Sequence, residues 1–413
     1  MCKEKCSRYE KGWKAVKYFK YGSMALYQRI IATVMTVAEI ALLIILSNVI
    51  VAQWNNRYML YEPYEKLLKS DGQIVLYNEI VAKMNGIDTT TEQLLDKVQG
   101  DVSFVYAYSI NVELEKDLSL RVYFIDDKVL KKYSLPLEEG DYKFSKGTDD
   151  YCGVMSPNVL GYGKGDKILL RDEAKAYNIR ITGVLSNPTY SPNYGEYSTS
   201  SENAYNVKRL YYKYSLSNKP DPFIILSQKG NEELIESLGA HICPEIFIIY
   251  NSMTDEDTKA KNAEMFDNYL DIKDVYKGTH DYLYNEVIKT VPLIVFGMLI
   301  IIIGLIGTVA INTKCQIRNY GVYFLCGAKW KDSIRISITS NGIIMVFAMI
   351  LSITTYFMSS LFGAKEKYGL VFGANNILIT VGIVTLLSVI SGFIPLFMLR
   401  KISPVEIIRN EGE

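Results

Sequence analysis

The chain has 413 residues, enough for two or three domains, with 49% hydrophobic and 22% charged residues. Its 45 Lys and Arg balance 45 Asp and Glu, and no nucleic-acid partner is expected. The average conceals a division, because apolar runs near 30–52, 290–311, 335–361 and 377–399 each approach the ~20 residues that an α-helix needs to cross a bilayer.

Residues 1–29 form a basic leader with eight Lys/Arg against two Asp/Glu. The run 30–52 that follows is 23 residues long, beyond the roughly 7–15 of a signal-peptide core, so a permanent anchor is expected rather than cleavage at Ala52. Glu39 lies near its middle. A carboxylate there costs about 2.5–3.5 kcal/mol on the insertion scale, which the Ile, Leu and Val residues offset at about 0.3–0.6 kcal/mol each. Glu39 is expected as a protonated acid hydrogen-bonded to Ser, Thr or Asn of the third span; a proton-linked site is the alternative.

Residues 53–285 are expected to form a large α+β domain. "GQIVLYNEI", "DVSFVYAYSINVEL" and "LSLRVYFIDD" are rich in β-branched and aromatic residues with partial alternation, as half-buried strands are. "DPFIILSQ", "NEELIESLG" and "EIFIIYNS" continue as strand, helix and strand, and "MTDEDTKAKNAEMFDNYLDI" reads as an amphipathic helix capped by Thr254. Between them, 185–221 is rich in Pro, Asn, Ser and Gly and carries tyrosines at 190, 194, 197, 205, 211, 212 and 214. A long loop or hairpin is expected there, with its tyrosines either a sticky surface or ordinary edge residues.

The second span, 290–311, begins near Pro292 and holds Gly297, Gly304 and Gly307, small residues that permit close helix approach. Residues 312–335 carry five Lys/Arg against Asp332 alone, the third and fourth spans form a tight hairpin, and 400–413 carry three charges of each sign. The leader, this loop and the tail together hold sixteen basic and six acidic residues, whereas 53–285 hold 26 basic and 36 acidic. Basic residues beside spans stay cytoplasmic, so both termini and the loop are expected inside the plasma membrane and 53–285 outside.

Six cysteines and two histidines are present. Cys152 and Cys243, the two expected outside, are read as unpaired; His241 and His280 are isolated, so no metal site is expected. There is no phosphate-loop, nucleophile-elbow, zincin or dinucleotide-binding motif, and "GYGKGDK" lacks the spacing of a phosphate cradle. The chain is therefore expected not to be an enzyme and to have no catalytic residue.

"NYGVYFLCGAKWKDSI", residues 319–334, and "ISGFIPLFMLRKISPVEIIRNEGE" at the C-terminus resemble two segments of the MacB/FtsX-type (type VII) ABC transporter permeases. The first is similar to the family's "EIGxxxAxGAxxxxI" after the second span. The second is similar to its ending, in which a proline of the last span precedes a "P(I/V)EALR" tail by nine residues; here Pro395 and Pro404 have that separation, with Glu406 and Arg409 following. "YCGVMSPNVLGYGKGDKILLRDEAKAYNIRITGVLSNP" is similar to a family segment of the outer domain. Asn319 stands where the family usually has Glu, and Leu396, Phe397 and Met398 replace its usual small and basic residues.

The resemblance implies four transmembrane helices, one plus three, around a large extracytoplasmic α+β domain, and a coupling helix over 312–332 in which Tyr320, Gly321, Phe324, Gly327, Ala328, Lys329 and Trp330 dock a separate cytoplasmic ABC ATPase. It implies ATP and Mg bound by that partner, a dimer with itself or a paralogous permease, membrane lipids as neighbours, and mechanotransmission for export of a peptide, antibiotic or lipid-linked substrate in a Gram-positive cell. A non-transporting, FtsX-like regulator of cell-wall hydrolases and a receptor or anchor without ATPase are the alternatives. By charge and aromatics alone, 318–335 suits an interfacial lipid anchor better than a docking helix; the resemblance reverses that preference.

Overall fold

The computed structural model describes residues 18–114, 118–144, 150–171, 176–195, 205–218, 220–266, 268–325, 330–361 and 370–400. Helices α1 (18–27) and α2 (Ile30–Tyr61) open the described chain, followed by a short 3-10 turn and α3 (Glu65–Leu68). Strand β1 (Gly72–Leu76) gives way to α4 (Glu79–Met84) because the Asn78 side chain accepts from the backbone N–H groups of Ile80 and Val81; the strand expected over "GQIVLYNEI" therefore ends early. Helix α5 (Thr91–Leu95) starts with a reciprocal capping box of Thr90 and Gln93.

The chain continues through β2 (Val102–Val105), β3 (Ala107–Leu114), β4 (Leu118–Ile125), α6 (Asp127–Leu130), β5 (Leu137–Gly140), β6 (Tyr151–Met155), β7 (Lys167–Arg171) and β8 (Ala176–Leu185). After β9 (Thr189–Pro192) and β10 (Tyr211–Tyr214) come β11 (Phe223–Ser227), α7 (Glu232–Ser237), β12 (His241–Ile242), β13 (Glu245–Tyr250), α8 (Glu256–Glu264) and β14 (Asn268–Asp271). Three long helices complete it: α9 (Ile272–Leu325), α10 (Trp330–Leu361) and α11 (Ala374–Arg400).

The chain divides into two compact units, Asn56–Asn285 and Met1–Asn55 with Glu286–Glu413. Within the first, one antiparallel sheet has the order β14-β1-β13-β2, and a larger mixed sheet has the order β12-β3-β4-β11-β6-β8-β5 with β7 on β8. Strands β4 and β11 run parallel, as do β6 and β8. The central strands β11 and β13 are buried at every position, which is why they read as unbroken apolar runs. Gly72 lets β13 lie close: a Cβ there would stand 2.3 Å from the Ile248 carbonyl oxygen.

Three expectations for this unit change. "DVSFVYAYSINVEL" is two strands, because the chain leaves the smaller sheet at Val105 and enters the larger at Ala107. Asp255, not Thr254, caps α8, its side chain accepting from the Thr258 N–H, and the helix stops at Glu264. Phe266 is drawn into the core, and 268–271 pair with β1, so sheet pairing overrides the helical pattern. Segment 185–221 contains an antiparallel hairpin of β9 and β10. Its tyrosines are divided: Tyr194, Tyr211 and Tyr214 are buried, whereas Tyr205 and Tyr212 are exposed; Tyr197 lies outside the described residues.

In the other unit, Ile40, Ala41 and Ile44 of α2, Leu305 and Val309 of α9, Ile344 and Ala348 of α10, and Ile383 and Leu387 of α11 form one core. Each helix contributes residues spaced three or four apart, the stripe that helix packing requires. The remaining faces are also apolar: Ile31, Leu42, Leu293, Phe296, Ile350, Ile377 and Val381 are exposed. Among the described residues, stretches Ile30–Leu68, Val291–Ile311, Lys331–Met358 and Ala374–Phe393 are the four that are long and apolar enough to cross a membrane. The apolar stretch of α9 begins at Val291, beside Pro292 as expected, while the helix itself starts earlier and passes through the proline. Proline removes one backbone donor and crowds the carbonyl four residues back, losses that helices in such surroundings tolerate.

Candidate functional site

The segment singled out for docking is not a separate helix on its N-terminal side. Helix α9 carries Tyr320, Gly321 and Phe324 as its continuation to Leu325, so Gly321 sits in helical backbone rather than at a sharp entry. Gly327, Ala328 and Lys329 lie outside the described residues, and Trp330 opens α10. Pro395 is within α11, while Pro404, Glu406 and Arg409 lie outside the described residues.

Asp332, in the first turn of α10, accepts from the Tyr18 hydroxyl of α1 at 2.5 Å. Arg335 stands 3.6 Å from Asp332 and donates to the Tyr18 oxygen at 3.3 Å. One turn on, the Ser340 hydroxyl donates to the Gly22 carbonyl at 3.1 Å. These contacts hold α1 against the start of α10 through charge-assisted and backbone-directed bonds.

Glu39 faces α9: a Cβ added to Gly304 would stand 3.7 Å from its Oε2 atom. Among the described residues no side chain of α10 hydrogen-bonds it, contrary to expectation. Ser352 of α10 instead donates to the carbonyls of Ala41 and Ala348, so Gly304 makes room for the acid and α10 does not satisfy it.

A feature not anticipated from the sequence is an amide network joining α2 to α11. Asn48 donates to Thr380 Oγ1 at 2.8 Å and to the Ile44 carbonyl at 2.9 Å. Asn376 donates to Asn48 Oδ1 at 3.0 Å and to the Asn48 carbonyl at 2.9 Å, and it accepts from Asn55 at 3.0 Å and from the Gly373 N–H at 3.1 Å. Asn55 also donates to the Val371 carbonyl at 3.2 Å and accepts from Asn375 at 3.2 Å. With Asn376 buried and Asn48 and Asn55 half-buried, amides this well satisfied specify register. The available signal was Asn48 and Asn55, seven residues apart on one helical stripe, with Gln53 the one other polar residue between them.

The 56–285 unit carries a cleft of about 970 Å³, within the volume range of ligand sites. Asp126 and Asp127 reach it from the carboxyl end of β4, and Gln228 and Lys229 from the carboxyl end of its parallel neighbour β11, the place where open sheets receive ligands. Asp127 accepts from the Ser227 hydroxyl, and Asp126 caps α6. Tyr108 lines the wall, its phenol pushed up from the ordinary value by burial and by its bond to Tyr106. His241 also lines the cleft, its Nε2 3.4 Å from Ser109 Oγ.

Elsewhere in this unit Cys152 is half-buried and Cys243 buried, and neither forms a disulfide. "GYGKGDK" closes on itself, the Gly163 N–H donating to Asp166 at 2.8 Å, so its turn is occupied by its own carboxylate. Glu245 is fully buried, with Arg209 Nε 2.9 Å from its Oε1; burial pushes its carboxyl up, and Arg209 opposes that. No group of three metal-ligating residues occurs among the described residues.

No family model and no curated protein matches the chain. Among solved structures, the extracellular domain of the noncanonic ABC-type transporter YknZ from Gram-positive bacteria is similar over 49% of this chain and 99% of that one, at 12% identity and a TM-score of 0.25. A likeness at that score decides nothing about this chain.

Proposed function

We propose that the chain is the transmembrane permease subunit of an ABC transporter of the MacB/FtsX type. The observation that carries this reading is the order of its parts: one apolar helix, an acidic α+β unit at 56–285, then three more apolar helices. The basic segments stand at the helix ends away from that unit in sequence. With the segments around Gly321, Gly327 and Pro395, this order supports a subunit that works with a separate ATPase. In this reading both termini face the cytoplasm, residues 312–332 dock the ATPase, and ATP and Mg belong to that partner. Hydrolysis there drives the 56–285 unit outside the cell, in a dimer with itself or a paralogue, to export or extract a peptide, antibiotic or lipid-linked substrate.

The test is copurification. The wild-type chain retains its ATPase in mild detergent, whereas Gly327→Arg and Trp330→Asp each lose it while still partitioning with the membrane fraction. Undiminished retention of the ATPase by both variants would remove the docking assignment.

A further inference from the structure

The cleft described above adjoins an apolar face that nothing in the reading so far uses. Helix α4 brings Glu79 to the cleft wall. On the same helix and the turn after it, Ile80 is 55% exposed, Val81 48%, Met84 82% and Ile87 49%. Four large apolar side chains in eight consecutive residues are more than the scattered exposed residues of an ordinary surface. The helix is not held out by chance: Thr91 donates to Glu79 through both its N–H and its hydroxyl, and Asn78 caps the first turn.

The cleft beside it is predominantly acidic. Glu79, Glu92, Asp126, Asp127, Glu232 and Glu236 line it, against Lys128, Lys131 and Lys229, six acids less three bases giving a formal −3 in the lining, of which Glu79 is paired with Lys83 of α4 at 2.8 Å. The Glu92 and Glu236 side chains make no hydrogen bond or ion pair among the described residues. Between the charges lie Ile235, Ala240 and Ile242. A partner for this surface needs positive charge to match the carboxylates and apolar side chains to match the α4 face, in an extent too long for a metal ion or a small sugar.

We infer that the cleft and the α4 face together bind a cationic, amphipathic peptide from the extracellular side, its basic residues on Glu92, Glu232 and Glu236 and its apolar residues on Ile80, Met84 and Ile87. Complementary charge sets register and speeds encounter, while burial of the apolar side chains carries affinity. The inference rests on the permease reading only in treating the peptide as cargo; binding requires no ATPase.

The test uses the full-length chain in nanodiscs of zwitterionic lipid and a fluorescent sixteen-residue peptide built of Lys, Leu and Phe, with empty nanodiscs subtracted. Binding is expected to be saturable and to weaken as salt rises, and to be absent for the same peptide with every Lys replaced by Glu. Glu92→Lys with Glu236→Lys, and separately Ile80→Asp with Met84→Asp, each weaken it at least tenfold. All four positions are at the surface, and Asp257→Lys with Glu264→Lys on α8 serves as a charge-matched control that leaves affinity unchanged. Equal affinity across all variants, or loss in the α8 control alone, overturns the assignment. So does failure of the peptide to bind, and if the wild-type chain instead dimerises in a manner abolished by Met84→Asp, the face belongs to a second copy. A positive peptide result with no ATPase copurification would leave the site standing and remove the permease reading, so the two failures are distinct.

Discussion

At the scale of single residues, the pair Arg209 and Glu245 makes the sharpest demand on its surroundings. Glu245 is fully buried and its carboxyl is raised by desolvation, with Arg209 as the opposing influence. A raised carboxyl contributes stability that is fully present below its unfolded value, about 4.3, and lost as pH rises through the folded value. Arg209→Met removes the partner and lifts that folded value further. The variant is expected to lose about 3–5 kcal/mol at pH 7.5, the cost of leaving one buried charge unpaired, and less at pH 5, where more of the acid is neutral. Denaturant unfolding of the purified variant at both pH values checks this; a loss independent of pH would mean that the pair acts through packing alone.

Elements differed in how far local sequence determined them. The four apolar helices were readable because a run of about 20 apolar residues has one economical interpretation in a chain of this kind. β4, β11 and β13 were equally plain from their Val, Ile and Phe content. The failures occur where a distant partner decides: Tyr194, Tyr211 and Tyr214 look like surface tyrosines until the β9–β10 hairpin buries them, and 268–271 look helical until β1 recruits them. The asparagine network was only half legible: Asn48 and Asn55 share a stripe of α2, but the partners that complete it lie more than 300 residues away. Asn376→Leu strips four hydrogen bonds, three of them between α11 and α2, and leaves Asn48 Oδ1 and the Gly373 N–H without those partners. Its expected cost is about 1–3 kcal/mol, read as a lower melting temperature in detergent, while a conservative exposed change such as Leu378→Ile on the same helix has little effect. Equal melting of the two variants would show that apolar packing alone joins the helices.

For the whole molecule the decisive quantity is the segregation of charge, basic in the short segments and acidic over 53–285. In the proposed reading that pattern sets the orientation of the chain, and its prediction concerns sidedness. A peptide tag inserted within 196–204, between β9 and β10, is expected to react with antibody on intact cells, and one at residue 5 only after permeabilisation. Labelling with the opposite sidedness would invert the topology and, with it, the cytoplasmic position of 312–332. The residues proposed to dock an ATPase were legible only as a resemblance, and of these Gly327, Ala328 and Lys329 lie outside the described residues.

The amide network between α2 and α11 also has a consequence for how the protein is made. In the proposed reading α2 enters the bilayer during synthesis before its partners exist: Asn376 lies 321 positions after Asn55, and Thr380 332 positions after Asn48. Until then Asn48 and Asn55 present amides with no helix to receive them, a state that invites premature partners or quality control. Chains arrested before Ala374 are therefore expected to be short-lived in the membrane, and supplying α11 as a separate segment to extend their lifetime.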